Sequence, residues 1–117
     1  MKKISGGKYR KAKKKKLYEK TNVARKTMLG PKKIRTLRTK GGKEKQILLA
    51  IDKAYVFDKE TKKGKVVKIN SVIKTPSNRY LKNVLMKGSI IDSELGKAKV
   101  TNRPGQEGNV FAVLIKE

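Results

Sequence analysis

Beyond Lys32 the apolar positions fall into short runs, each the length of a strand and each ended by a polar or Gly-containing break. Ile34-Arg35-Thr36-Leu37-Arg38-Thr39 mixes branched and basic residues at strand length. Gly41-Gly42 reads as a turn, and Gln46–Ile51, rich in Ile and Leu, as a second strand. Ala54–Phe57 is a third β-type run, followed by a polar turn from Asp58 to Gly64. Lys65–Thr75 carries Val66, Val67, Ile69, Val72 and Ile73, which predicts a long strand kinked near Asn70-Ser71. Thr75-Pro76-Ser77-Asn78 breaks it, and Arg79–Met86 fits one helical turn or a bent strand equally. Ser89–Ser93, Lys97–Asn102 and Val110–Ile115 complete the set, parted by Glu94-Leu95-Gly96 and by the turn-rich Arg103–Gly108. Short strands at regular spacing predict an all-β fold, a small antiparallel β-barrel with a basic, extended N-terminal arm. Closure suits so small a body because it removes free strand edges.

Before Lys32 the apolar residues thin out. Gly6-Gly7 splits the segment, and Lys8 to Lys20 interleaves bases with Tyr9, Ala12, Leu17 and Tyr18. Leu17 and Tyr18 alone make a poor apolar face for a helix. Thr21-Asn22 is a cap-like break ahead of Val23–Leu29, and Gly30-Pro31 ends the segment. Residues 1–31 are therefore expected to form a basic extension, disordered when free and ordering on a partner, with residues 32–117 as the barrel.

Charge sharpens that picture. The 117 residues carry a net charge of +24. Residues 1–45 hold nineteen Lys and Arg against Glu19 and Glu44, a local +17, so the remaining chain holds only +7. Charges this dense repel one another and need an external polyanion to become compact. A pI near 10.4 points to nucleic acid or an acidic membrane surface. The arm lacks the large apolar face of a membrane-surface helix, and no apolar run approaches the roughly twenty residues of a span. A basic start without an apolar stretch behind it argues against a secretory signal. The chain contains no Cys and no His, so thiolate and imidazole chemistry are absent. A cytoplasmic, partner-bound protein is expected, with no metal, no cofactor, no membrane and no small-molecule substrate.

Candidate polyanion contacts follow from side-chain chemistry. Lys2, Lys3, Lys8, Lys11, Lys13, Lys14, Lys15, Lys16 and Lys26 supply diffuse charge along the arm. Lys32, Lys33, Lys40 and Lys43 continue it into the first hairpin. Arg10, Arg25, Arg35 and Arg38 suit bidentate phosphate contacts or base stacking. Gly6-Gly7 and Gly41-Gly42 permit close backbone approach to phosphate, and serve equally as a joint and a hairpin turn. Tyr9 and Tyr18 can stack on unpaired bases or pack against the protein itself. Lys87 and Arg103 extend the basic surface onto the body. Arg103 precedes Pro104-Gly105, which should fix its backbone at a turn, and Gly105 is expected at positive φ. Asp58 with Glu60, and Asp92 with Glu94, have i, i+2 spacing, yet each lies at a strand end among Lys, where surface charges belong. Without His, Cys or a nucleophile motif, catalysis is disfavoured.

Several of these motifs recur in one family. Lys87-Gly88-Ser89-Ile90-Ile91, Gly96-Lys97-Ala98-Lys99-Val100-Thr101-Asn102-Arg103-Pro104-Gly105-Gln106-Glu107-Gly108 and Val113-Leu114 resemble the C-terminal pattern of the archaeal and eukaryotic small-subunit ribosomal protein family S8e. Ser5-Gly6-Gly7, Leu29-Gly30, Arg38-Thr39-Lys40-Gly41-Gly42 and Pro76-Ser77-Asn78 with Asn83 match it upstream in the same order. Lys43 stands where the family commonly has Asn, and Ile47-Leu48-Leu49 where Arg-Ala-Leu is usual. The large insertion of eukaryotic members is absent, so the archaeal form is the closer match. The resemblance implies a small β-barrel with a basic N-terminal extension, bound to small-subunit ribosomal RNA beside neighbouring ribosomal proteins. An assembly factor of the same fold and a general nucleic-acid-binding protein are the alternatives.

Overall fold

Nine strands and one 3-10 turn make up the computed structural model, which describes residues 1–10, 13–21, 25–76 and 82–116. In chain order the strands are β1 (Thr27–Leu29), β2 (Lys33–Arg38), β3 (Glu44–Ile51), β4 (Lys53–Asp58), β5 (Lys63–Lys74), β6 (Val84–Leu85), β7 (Ile90–Ser93), β8 (Gly96–Val100) and β9 (Phe111–Leu114). They build a closed barrel in the order β4-β5-β7-β8-β9 and a four-stranded sheet in the order β2-β3-β1-β6.

The barrel follows from alternation. Ala54 and Val56 of β4, Val67 and Ile69 of β5, Ile91 of β7, Ala98 and Val100 of β8 and Ala112 of β9 are buried. Their neighbours Lys53, Tyr55, Lys68, Lys97, Lys99 and Phe111 are exposed. A barrel of so few strands has a narrow interior, and the small residues Ala54, Ala98 and Ala112 fit it. Parity dictates its closure. Five strands joined in antiparallel steps leave the first and last pointing the same way, so β4 and β9 pair in parallel, Tyr55 opposite Phe111. The expected all-antiparallel barrel is antiparallel at every other seam. The kink expected near Asn70-Ser71 is present as a register shift between Ile69 and Ser71 where β5 meets β7.

The first hairpin, expected in the barrel, lies in the second sheet. The chain crosses between the two at Asp52, whose carbonyl accepts a hydrogen bond from Ile69 N at 2.8 Å. Leu48 and Ile51 join the barrel residues and Leu85 in one core. One short strand stands outside the sequence expectation. β1 falls within the stretch read as the arm, where it pairs in parallel with β3 and antiparallel with β6. β6 answers the open question at Arg79–Met86 for Val84 and Leu85. Ser77, Asn78, Arg79 and Leu81 lie outside the described residues, as do Asn22 and Val23.

Turn chemistry fixes the remaining joints. Asp58 accepts hydrogen bonds from Glu60 N at 3.0 Å and from Thr61 Oγ1 at 2.9 Å. Glu60 in turn accepts from Lys116 Nζ. The first carboxylate pair therefore closes the β4–β5 turn and tethers the end of β9, and does not converge on a shared site. These hydrogen bonds, led by the one from Glu60 N, hold the Asp58 carboxyl below its ordinary pKa. Bonding to Glu60 holds the Lys116 ammonium above its own. A carboxylate with a lowered folded pKa stabilises above its unfolded pKa, and that contribution is lost as pH falls through the folded value. Urea unfolding midpoints are accordingly expected to drop below about pH 4, and Asp58→Asn is expected to flatten part of that drop.

Candidate nucleic-acid interface

The hairpin β2–β3 projects cations. Lys32, Lys33, Arg35, Arg38, Lys40 and Lys43 are all exposed. At its tip Gly41 and Gly42 take φ of 85° and 79°, a conformation that favours glycine, with open space where a Cβ would stand. Thr39 closes the turn by donating from both its N and its Oγ1 to Lys43 O, at 2.6 and 2.8 Å. Glu44, the hairpin's one acid, stands opposite Arg38.

The arm adds a second set. Every described residue from Met1 to Lys16 is exposed, including Lys2, Lys3, Lys8, Arg10 and Lys13 to Lys16. Lys11 lies outside the described residues. Lys3 N donates to Gly7 O at 2.7 Å, and Lys2 bridges Lys8, so Gly6-Gly7 acts as the bend of a small loop. Lys3 Nζ sits 5.7 Å from the centroid of the Tyr9 ring. Further on, Glu19 caps the 3-10 turn Leu17–Glu19: its Oε2 accepts from Lys16 N at 3.0 Å and its Oε1 lies 3.5 Å from Lys13 Nζ. Tyr18 rides on that turn with Lys16 Nζ 5.8 Å from its ring centroid.

The loop Arg103–Gly108 joins the base of the arm to the hairpin. Pro104 is buried, and its carbonyl accepts from Leu48 N at 3.1 Å. Gln106 Oε1 accepts from Lys45 Nζ at 2.6 Å. Asn102 clamps the loop, donating from Nδ2 to Glu107 Oε2 at 2.9 Å and to Asn109 O at 2.7 Å, and accepting from Phe111 N at 3.0 Å. These bonds give the loop a structural role, and leave the Arg103 side chain exposed at its edge. Gly105 is required for a different reason from the one expected. Its φ is not positive; a Cβ there would stand 3.1 Å from Arg25 O. Gly105→Val is expected to push the arm's base away and cost about 1–3 kcal/mol, read as a lower thermal midpoint, with Gly105→Ala milder.

The structure thus gathers Arg25, Arg103 and the hairpin around one joint. Lys26 is exposed just ahead of β1. Lys87 stands on the β6–β7 turn, where Gly88 N donates to Val100 O at 2.8 Å. Sequence reasoning passed over Lys20 and Lys45, which line the same cleft as Arg38 and Lys40. Their place in the +17 segment was the available signal. Among the described residues no group of three His, Cys, Asp or Glu could hold a metal ion, and no helix is long and apolar enough to cross a membrane.

A barrel, a second sheet and a hairpin studded with exposed cations define a small, strongly basic β protein with a surface suited to a polyanion. Comparison with known proteins narrows that class. The family described as Ribosomal protein S8e matches residues 1–115. The small ribosomal subunit protein eS8 of Methanocorpusculum labreanum is 41% identical over 118 residues, covering 99% of this chain and 94% of that protein. Those of Sulfolobus acidocaldarius and Sulfurisphaera tokodaii are 41% and 42% identical, each covering 98% of this chain and 92% of the relative. The chain belongs to the ribosomal protein S8e family.

Proposed function

We propose that this protein is a structural constituent of the archaeal-type small ribosomal subunit that binds its RNA. The two-sheet body docks on folded RNA by shape, and the arm and hairpin neutralise phosphates. The carrying observation is the coincidence of near full-length likeness to small-subunit proteins with a +17 charge in residues 1–45. Counterion release then supplies much of the affinity, because each phosphate neutralised frees condensed cations. On this reading the partners are small-subunit rRNA and neighbouring ribosomal proteins, and the location is the cytoplasmic ribosome. Of the stretch read as the arm, residues 1–31, the part before Thr27 takes its final course only on RNA, while β1 stays with the body. No catalytic step is assigned to any residue.

The test is co-sedimentation of the tagged protein, from its own cells, through a high-salt gradient. Retention in mature small subunits is expected. Presence in precursor particles alone would mark an assembly factor. Absence from both would leave general nucleic-acid binding.

A further inference from the structure

We propose that the cleft between Tyr18 and the tip of the β2–β3 hairpin receives one unstacked nucleotide of an RNA strand, an inference that rests on the RNA-binding reading above. The cleft has a volume of about 550 Å³, within the range of small-molecule sites. Tyr18 and Leu37 offer it an aromatic ring and an aliphatic side chain. Lys20, Arg38, Lys40 and Lys45 surround these with positive charge, and among the described residues no carboxylate lines the cleft. A nucleotide combines the two complements, a flat base for the ring and phosphates for the cations. An acidic peptide would answer the charges and leave the ring without a flat partner. A methylated or apolar side chain would answer the ring and leave four cations unneutralised.

Each wall is held by hydrogen bonds of its own. Glu19 organises the turn that carries Tyr18 through its bonds to Lys16 and Lys13. The opposite wall is fixed by the double donation of Thr39 to Lys43 O and by the tether of Lys45 to Gln106. Tyr18 is 62% exposed, so a base can reach it, and the nearby Lys16 ammonium adds charge beside the ring. Tyr9 provides an internal control. It is also 62% exposed and also has a lysine ammonium over its ring, yet it does not line the cleft.

The experiment compares two RNA hairpins, one fully paired and one with a single extruded adenosine, binding to the full chain at fixed salt. The unmodified chain is expected to prefer the bulged hairpin by on the order of tenfold, the scale of one base stacked on an aromatic ring. Tyr18→Ala is expected to abolish the preference, so that this variant binds the bulged and the paired hairpin equally. Tyr18→Phe and Tyr9→Ala are expected to keep it. In parallel, the ring proton signals lost in Tyr18→Phe should move upfield in the unmodified chain when single-stranded oligoadenylate is added. Equal affinity for the two hairpins, or a preference that survives Tyr18→Ala, overturns the proposal while the RNA-binding reading stands. Failure to bind either hairpin overturns both. Competition by free 5′-AMP at the concentration of the bulged hairpin overturns the assignment to a strand, since a mononucleotide would then suffice.

Discussion

Removing residues 1–20 is expected to leave both sheets folded and to cut the salt dependence of RNA binding by about 7 to 9 in the slope of log K against log salt. That segment carries ten Lys and Arg with one acid, Glu19. Its described residues are exposed apart from the half-buried Glu19, the side chain of Leu17 not being described. Its hydrogen bonds named above join arm residues to one another, and the first strand begins seven residues later at Thr27. Each phosphate neutralised contributes roughly 0.7 to 0.9 to the slope, so ten contacts account for the whole change. Over a fourfold rise in salt, losing such a slope alters relative affinity by about 10⁴- to 10⁵-fold. Titrations of a small-subunit rRNA fragment at several salt concentrations, with thermal melts of the same two chains, read both halves of the prediction. An unchanged slope would refute the division of labour between arm and body. A lowered melting midpoint would mean that the arm packs on the body.

Most of the barrel was readable because its alternation is local. Ala98 and Val100 against Lys97 and Lys99 name their own faces, and the turn at Glu94-Leu95-Gly96 joins sequence neighbours. The Gly41-Gly42 turn was readable for the same reason. β1 and β6 were not, because strands of three and two residues cannot show an alternation. Their pairing comes from distant chain, Met28 with Ala50 on one side and Val84 on the other. Nor does pattern alone say that β2 and β3 leave the barrel. That depends on a single residue between strands, Asp52, where the chain changes sheets.

The interface divides along the same line. Charge density groups the cations in one segment, since charge needs no fold to be counted. Their grouping needed the fold. Lys45 is one of many lysines in the sequence, and its bond to Gln106, sixty-one positions away, is what makes it a wall of the cleft. Gly105 shows how a correct residue can carry a wrong reason. Its neighbours Pro104 and Gln106 suggested a tight turn with positive φ, but the constraint comes from Arg25, eighty positions upstream.

Truncation to residue 32 should behave very differently from truncation to residue 21, because it removes β1. Thr27 is 1% exposed, and its Oγ1 donates to Leu48 O at 2.9 Å. Leu29 packs on the core, and its N donates to Asn83 O at 3.0 Å. Gly30 N donates to Ile51 O at 3.2 Å. Without β1, the strand β3 loses its partner on that side, and β6 loses the neighbour that holds it in the sheet. A buried Leu side chain contributes about 1.5–3 kcal/mol, and each hydrogen bond about 1 kcal/mol more. Those losses together with the exposure of Leu48, Val84 and Leu85 approach the 5–15 kcal/mol that typically holds a whole domain together. The chain from residue 32 is therefore expected to lack a cooperative melt at 25 °C in urea, and to show collapsed amide dispersion by NMR. The chain from residue 21 should unfold near the midpoint of the full protein. Thr27→Ala tests the same seam more gently, at about 1 kcal/mol for the hydroxyl's hydrogen bond. A cooperative melt of the chain from residue 32 at the full protein's midpoint would show that β1 is dispensable, and would return residues 27–31 to the arm.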